Sequence, residues 1–437
     1  MSVSQGAQFT GQTVLRRVRR SILPAAFLLY AFNYMDRAAI SYAQLGMSAE
    51  LGISLATYGT VAAIFFIAYT TLEIPSNIMM KKVGARVWLA RIAVTWGIVT
   101  ILTGFVQNTT HLYIARIALG AAEAGLYPGL LLFMTFWFRS EERSRAFAHV
   151  SFAQPVALLI GSATAGVILD QADWFGLSSW RWVFILQGIP PVLLGVWIFL
   201  TLADRPSKAK WLSKNEADWL EGEITNEYRA EDNGQLTSLS VIKNPRILHL
   251  ALINLMYAIG LNGMTFYMPQ IVKQLNPDYS ATNIGLVGAI PYVFGAIAML
   301  LVARYSDLLG SRKPLVMATL VVAVVGLVVT TIFRDTPLLG MVGLSLLAMG
   351  VFSYLGPFWA LATEALTRAQ TAVGLAMINA IAAAGGFFGP FVIGRTAAAD
   401  DVILGLLFPA VSMSLGIVLL IFLKPAAKTP AASTGSI

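Results

Sequence analysis

Hydrophobic residues run along this chain in blocks of about 20, the length of helix that crosses the hydrocarbon core of a bilayer. Such blocks fall near 22–44, 57–79, 86–106, 109–138, 146–169 and 181–202. A polar stretch from Ala203 to Pro245 follows, and six more blocks lie near 247–272, 281–303, 314–333, 338–362, 371–395 and 402–423. The pattern predicts an all-α membrane protein of twelve transmembrane helices in two bundles of six. Residues 1–202 are expected to form the first bundle, 203–245 a linker, 246–424 the second bundle and 425–437 a tail. In the linker, Ser213 and Glu216 have the spacing of a capping box. Trp211, Leu212, Trp219 and Leu220 recur there at helical spacing, so one or two amphipathic helices are expected to cover and tether the two halves.

Composition agrees with the pattern. Of 437 residues, 57% are hydrophobic and 12% charged, about half the charged share of a soluble domain. The absence of cysteine excludes disulfides, thiol nucleophiles and thiolate metal sites, and the three histidines, His111, His149 and His249, fall on separate segments. Nothing points to a cofactor, a metal or an enzyme's nucleophile–base pair. A net charge of +8 raises nucleic acid as a partner, but the basic residues follow the blocks instead of forming one patch. They gather in alternate loops: Arg16, Arg17, Arg19 and Arg20; Lys81, Lys82 and Arg86; Arg139, Arg143 and Arg145; the linker; Arg312 and Lys313. By the positive-inside rule both termini and the linker are cytoplasmic, in a multi-pass protein of the cell's inner membrane. The basic run before the first block has the look of a signal peptide. Asp36 and Arg37 interrupt that block and eleven others follow, so it reads as an uncleaved first span.

The informative residues are charges inside apolar blocks. Arg116 and Glu123 stand seven positions apart in the fourth, about two helical turns, so they share a face roughly 10 Å apart along the axis. Gly120, Ala121, Ala124 and Gly125 beside them allow another helix to approach closely. Asp36 and Arg37 are adjacent on the first block and project about 100° apart, so one can face the fourth span and the other a cavity. A charge at bilayer depth costs several kcal/mol unless it is paired or faces a polar hollow. Two acid–base pairs at one depth point to a polar site inside a bundle, and hence to a transporter. The competing reading is static ion pairs that lock two helices. A channel lacks support, because no ring of charge or filter segment appears.

A further motif repeats between the halves. Lys81-Lys82-Val83-Gly84-Ala85-Arg86 follows the second block, and Asp307-Leu308-Leu309-Gly310-Ser311-Arg312-Lys313 follows the eighth. With six-plus-six spans, this Gly–basic loop resembles the major facilitator superfamily. Asn33-Tyr34-Met35-Asp36-Arg37, Glu73-Ile74-Pro75-Ser76-Asn77, Arg116 to Gly129 and Ser179-Trp180-Arg181-Trp182-Val183-Phe184 resemble signatures of its anion:cation symporter family. That likeness implies import of a small organic anion with protons by alternating access, normally by a monomer. It also implies substrate contacts from Tyr69, Gln154, Phe358, Trp359 and Asn379, and gating roles for Lys81, Arg86, Asp307 and Arg312. Lys81 departs from the superfamily pattern, which has an acid there. No Gly-Pro-rich antiporter motif is evident in the fifth span.

The residues carry a scheme for coupling. Arg37 binds a substrate carboxylate through its planar fork; Glu123 takes a proton when its Arg partner is engaged; Asp36 pairs with Arg116 in a proton-sensitive gate. Glu73 is expected to be a gate or structural contact more than a proton carrier. The second half has no charge well inside its blocks and offers neutral groups instead: Asn254, Asn262, Tyr267, Tyr354 and the residues already named. Anion exchange, or uniport without proton coupling, stays open on these residues, as do an aromatic, hydroxy- or sugar-acid substrate.

Overall fold

In the computed structural model of the chain, residues 2–231, 244–309, 312–366, 368–397 and 401–423 are described. Each hydrophobic block is helical. The first half comprises α1 (Ser2–Leu51), α2 (Leu55–Val83), α3 (Ala85–Thr103), α4 (Thr109–Glu123), α5 (Leu126–Thr135), α6 (Ser140–Ser151), α7 (Ala153–Gln171) and α8 (Ser179–Thr201). The linker helix α9 covers Lys214–Glu231. The second half comprises α10 (Pro245–Leu275), α11 (Ala281–Leu309), α12 (Arg312–Ile332), α13 (Pro337–Glu364), α14 (Arg368–Thr396), α15 (Val402–Gly405) and α16 (Leu407–Phe422). The pairs α4–α5, α6–α7 and α15–α16 are each one crossing broken by a bend, which gives twelve crossings. Among the described residues eleven stretches qualify as spans by length and hydropathy; the remaining crossing, α1, carries Asp36 and Arg37.

Within the first half α3 packs along α8, α2 against α4, and α1 against α7 and α8; within the second, α12 packs against α13, α11 against α13, and α10 against α14 and α16. Among the described residues the halves meet chiefly where α7 packs on α11, α2 on α14, and α1 on α10. They close the end of the molecule opposite the basic loops. There Gly166 meets Gly285 so closely that a Cβ on Gly166 would stand 2.9 Å from the Gly285 Cα, and one on Gly59 3.1 Å from the Gly394 Cα. Glycine is required at both crossings because backbone meets backbone. Hydrogen bonds seal the contact. Tyr58 donates to the Phe266 carbonyl at 2.7 Å and Gln270 to the side chain of Gln44, both across the halves, while Tyr267 donates to the Pro390 carbonyl at 3.0 Å within the second half beside them. Asp170, at the end of α7, accepts from the first free backbone N–H groups of α11, Ala281 at 3.1 Å and Thr282 at 2.7 Å, so one half caps a helix of the other.

At the basic end, α9 forms where its capping box does. Ser213 N–H donates to the Glu216 carboxylate at 2.9 Å and Glu216 N–H returns to Ser213 Oγ at 3.4 Å. Its acids then meet basic residues of the first half: Arg17–Glu216 at 3.1 Å and Arg139–Glu223 at 3.5 Å. Trp211 stacks on Trp137 with ring centres 5.5 Å apart. These ties go to the first half, and the linker residues 232–243 lie outside the described residues. The tail 425–437 lies outside the described residues.

Candidate functional site

The fourth crossing is broken at the site. α4 ends at Glu123; Ala124 leaves the helical region, and Gly125 takes a left-handed conformation with φ +83° before α5 begins. A Cβ on Gly125 would meet the Ser76 Oγ at 2.5 Å, so both backbone sign and packing require glycine there. The break begins directly after Glu123, which is fully buried. Gly120, one turn back, lets α2 lie close, with the Tyr69 N–H 3.1 Å from where a Cβ would stand. The small residues thus do what their pattern promised.

Glu123 Oε2 accepts from the Asn33 amide at 2.6 Å and stands 3.8 Å from Arg37 Nε. Arg37 is held by rings: its guanidinium lies 5.0 Å from the ring centre of Tyr34, 5.5 Å from Phe65, 5.7 Å from Phe66 and 5.4 Å from Tyr69. Aromatic faces stabilise a cation while leaving its N–H edges free for an acceptor. Asp36 points elsewhere, toward α3, and accepts from Thr100 at 2.5 Å. Arg116 is 1% exposed, lies over Phe65 at 4.8 Å, and donates to the Val61 carbonyl at 3.4 Å. Asp36 and Arg37 thus project to different neighbours, and the hydrogen bond of Asp36 goes to Thr100. Asp36 Oδ2, Arg116 Nη2 and Glu123 Oε1 are buried without a hydrogen-bond partner. That leaves unspent valence at each member of the cluster.

A cavity of about 140 Å³ opens between the halves on the basic-loop side of this cluster. It is lined by Arg37, Tyr69, Gln154, Trp359 and Asn379 among the expected contacts, and by Tyr34, Asn254 and Asn262. Arg37 thus bridges the two regions: its rear faces buried Glu123 and its front lines the hollow. Phe358 does not reach the wall. It is fully buried behind Trp359, in a stack with Tyr354 whose centres are 4.9 Å apart. Phe358 packs against Trp359, which stands on the wall. Glu73, read in the sequence as a gate or structural contact, also stands on the cavity wall.

The residues expected to gate are distributed at the basic end. Gly84 turns with φ +102°, and the N-terminus of α3 that follows is capped from afar: Arg86 N–H donates to Asp204 Oδ1 at 2.8 Å. Asp204, just beyond α8, puts a carboxylate at this turn where Lys81 replaces the superfamily's acid. Nothing in the local sequence pattern announces it. The Arg86 guanidinium lies 5.6 Å from the Phe199 ring and Lys81 is exposed. Arg312 donates to Ser306 Oγ at 2.6 Å and pairs with Glu364 at 3.2 Å. The side chain of Asp307 lies outside those described.

Two helical bundles, a hollow between them, and ionisable groups at mid-depth define a secondary transporter. The chain matches the sequence profile of the Major Facilitator Superfamily over residues 26–390, and it belongs to that superfamily. It is 38% identical over 381 residues to an Agrobacterium vitis protein named "Putative tartrate transporter", covering 87% of each chain. It is 35% identical over 408 residues to the "Quinolone resistance transporter" of Acinetobacter baumannii, covering 93% of this chain and 94% of the other. Against the E. coli (strain K12) "Inner membrane transport protein RhmT" the identity is 30%, over 87% of each. The fold is that of the E. coli xylose transporter XylE in a partially occluded inward open conformation, with TM-score 0.76 at 16% identity, covering 94% of this chain and 99% of that one. The chain is therefore a multi-pass membrane transporter of small molecules, not an enzyme.

Proposed function

We propose that this transporter imports a small organic carboxylate across the inner membrane together with protons, with Arg37 binding the carboxylate. The observation that carries the reading is the double exposure of Arg37, whose guanidinium lines the cavity while Glu123 stands 3.8 Å behind it. A substrate carboxylate entering the hollow meets a caged, planar cation and competes with Glu123 for it. Once Arg37 turns to the substrate, Glu123 is a fully buried carboxylate without its cation, and a proton neutralises it. Asp36, bonded to Thr100, is the second acid of the relay, and Arg116 between α2 and α4 balances their charge. Gln154, Tyr69, Asn379 and Trp359 supply hydrogen bonds and a flat apolar face for the remainder of the molecule. The relatives named for tartrate support an organic acid as the cargo. The basic loops support a cytoplasmic side for the cavity mouth and both termini, with the closed end facing outward.

Two measurements test this. A panel of organic acids is added to the purified protein, and those that raise its melting temperature should lose the effect in Arg37→Ala. In proteoliposomes, Glu123→Gln should retain exchange of substrate but lose accumulation driven by a pH gradient. Unchanged uphill uptake by Glu123→Gln removes proton coupling through this residue and leaves exchange or uniport.

A further inference from the structure

Among the described residues lining the cavity, the Lys, Arg, Asp and Glu side chains are two: Arg37 and Glu73. Glu73 follows Tyr69 by four residues on α2, about 6 Å along the axis, and the Tyr69 ring lies 5.4 Å from the Arg37 guanidinium. The helix runs from the closed end toward the basic loops, so Glu73 stands one turn beyond the cage of Arg37 in the direction of the mouth. Its Oε2 is buried with no hydrogen-bond partner. The nearest amide on the next turn, Asn77, donates at 2.8 Å to the backbone carbonyl of Glu73 and not to its carboxylate. Arg86, at the foot of α3, is engaged with Phe199 and a capped helix end.

A bare carboxylate in the path of an anion has a cost: it weakens whatever anion sits on Arg37. Placed symmetrically it would serve no purpose. Placed one turn toward one mouth, it acts on only one side of the journey. We infer that Glu73 is the release carboxylate of this transporter, lowering the affinity of the Arg37 site for an anion when the site faces the cytoplasm. The departing anion passes beside the Glu73 charge, and the free Oε2 offers the guanidinium a replacement counter-ion as it leaves. With the mouth closed and the far end open, the anion reaches Arg37 without passing Glu73, so the Glu73 charge bears on exchange through the cytoplasmic mouth and not on entry from outside. The role acts through Arg37, so Glu73 is a positioning residue for release, and the inference rests on Arg37 being the carboxylate site.

The experiment uses the full chain in proteoliposomes with four radiolabelled probes: tartrate, glycerate, benzoate and nicotinate. Half-saturating concentrations are measured separately from the cytoplasmic and outward faces for wild type, Glu73→Gln and Glu73→Asp. Removal of the charge in Glu73→Gln should tighten the cytoplasmic-face constant about tenfold. It should leave the outward-face constant within about twofold and slow maximal net uptake, while exchange persists. Glu73→Asp, which keeps the charge, should retain most of the wild-type asymmetry. Equal effects on both faces, or none, overturn the inference while leaving Arg37 as the carboxylate site. If wild type accepts none of the four acids, the carboxylate reading falls and this inference with it. If Glu73→Gln melts below wild type in detergent, Glu73→Asp decides, and a wild-type fold with lost asymmetry in that variant overturns the proposal.

Discussion

Arg37 shows how little of a residue's role lies in its charge alone. Four rings surround the guanidinium and one buried carboxylate stands behind it. Removing the cation strands Glu123, so Arg37→Ala should lower stability by about 3 kcal/mol. The double variant Arg37→Met with Glu123→Gln, which leaves no unpaired charge, should recover most of that loss; melting of the purified proteins compares them. Arg37→Lys keeps the charge but loses the flat stacking and the fork, and transport should fall about tenfold or more. A second prediction concerns Glu50, beyond the first span at the outer end of α1. Partial burial pushes its carboxyl up, but donation from Ser178 at 2.5 Å, Trp180 at 2.7 Å and Arg181 at 2.7 Å outweighs this and holds it at about 2. A carboxyl held below its unfolded value contributes stability above the ordinary Glu range, about 4.3, and loses it as pH falls toward 2. The tie between α1 and α8 should therefore survive mild acid. Glu50→Gln should cost about 1 kcal/mol at neutral pH, less as pH falls below 4, read by melting across that range.

At the scale of elements, the break between α4 and α5 decides where the chemistry sits. Gly125→Ala faces both a positive φ and a clash with Ser76, together worth about 2–4 kcal/mol. We expect a lower melting temperature with transport falling further than stability alone explains, because Glu123 moves off Arg37. The motif Arg116 to Gly129 was legible as a special stretch: its charges, their two-turn spacing and its small residues could all be counted along the chain. Its partners were not. Asn33, which holds Glu123, is a neutral residue on another helix, and no periodicity marks a hydrogen bond between residues 90 positions apart. Phe358 and Trp359 were equal candidates in the sequence, since neighbours on a helix differ by about 100° in direction; packing alone put Trp359 on the wall and Phe358 behind it.

Across the whole molecule, the closed end is held by backbone contact at paired glycines and by a cap that one half places on the other. Asp170 accepts from two N–H groups of α11, and a charge-assisted bond of this kind is worth about 1.5–3 kcal/mol. Asp170→Asn should shift the protein toward opening at this end. The chain has no cysteine, so a single Ser41→Cys, fully buried beside Gln270, serves as a clean reporter. Its labelling by an impermeant maleimide should rise about tenfold in the Asp170→Asn background. Equal labelling in both backgrounds would show that the glycine crossings hold the end shut without the cap.

The linear order of apolar and polar residues determined the twelve crossings, the basic end and the depth of the four charges, because insertion in a bilayer is governed by local hydrophobicity and each span satisfies its own backbone. Which charge meets which partner, which ring faces the hollow, and that Glu73 rather than Glu123 shares the cavity wall with Arg37 were decided only when helices far apart in the chain packed together. Side-chain direction on a helix is fixed to within a rotation that the neighbours set. That rotation is a property of the assembled bundles, and no single helix encodes it.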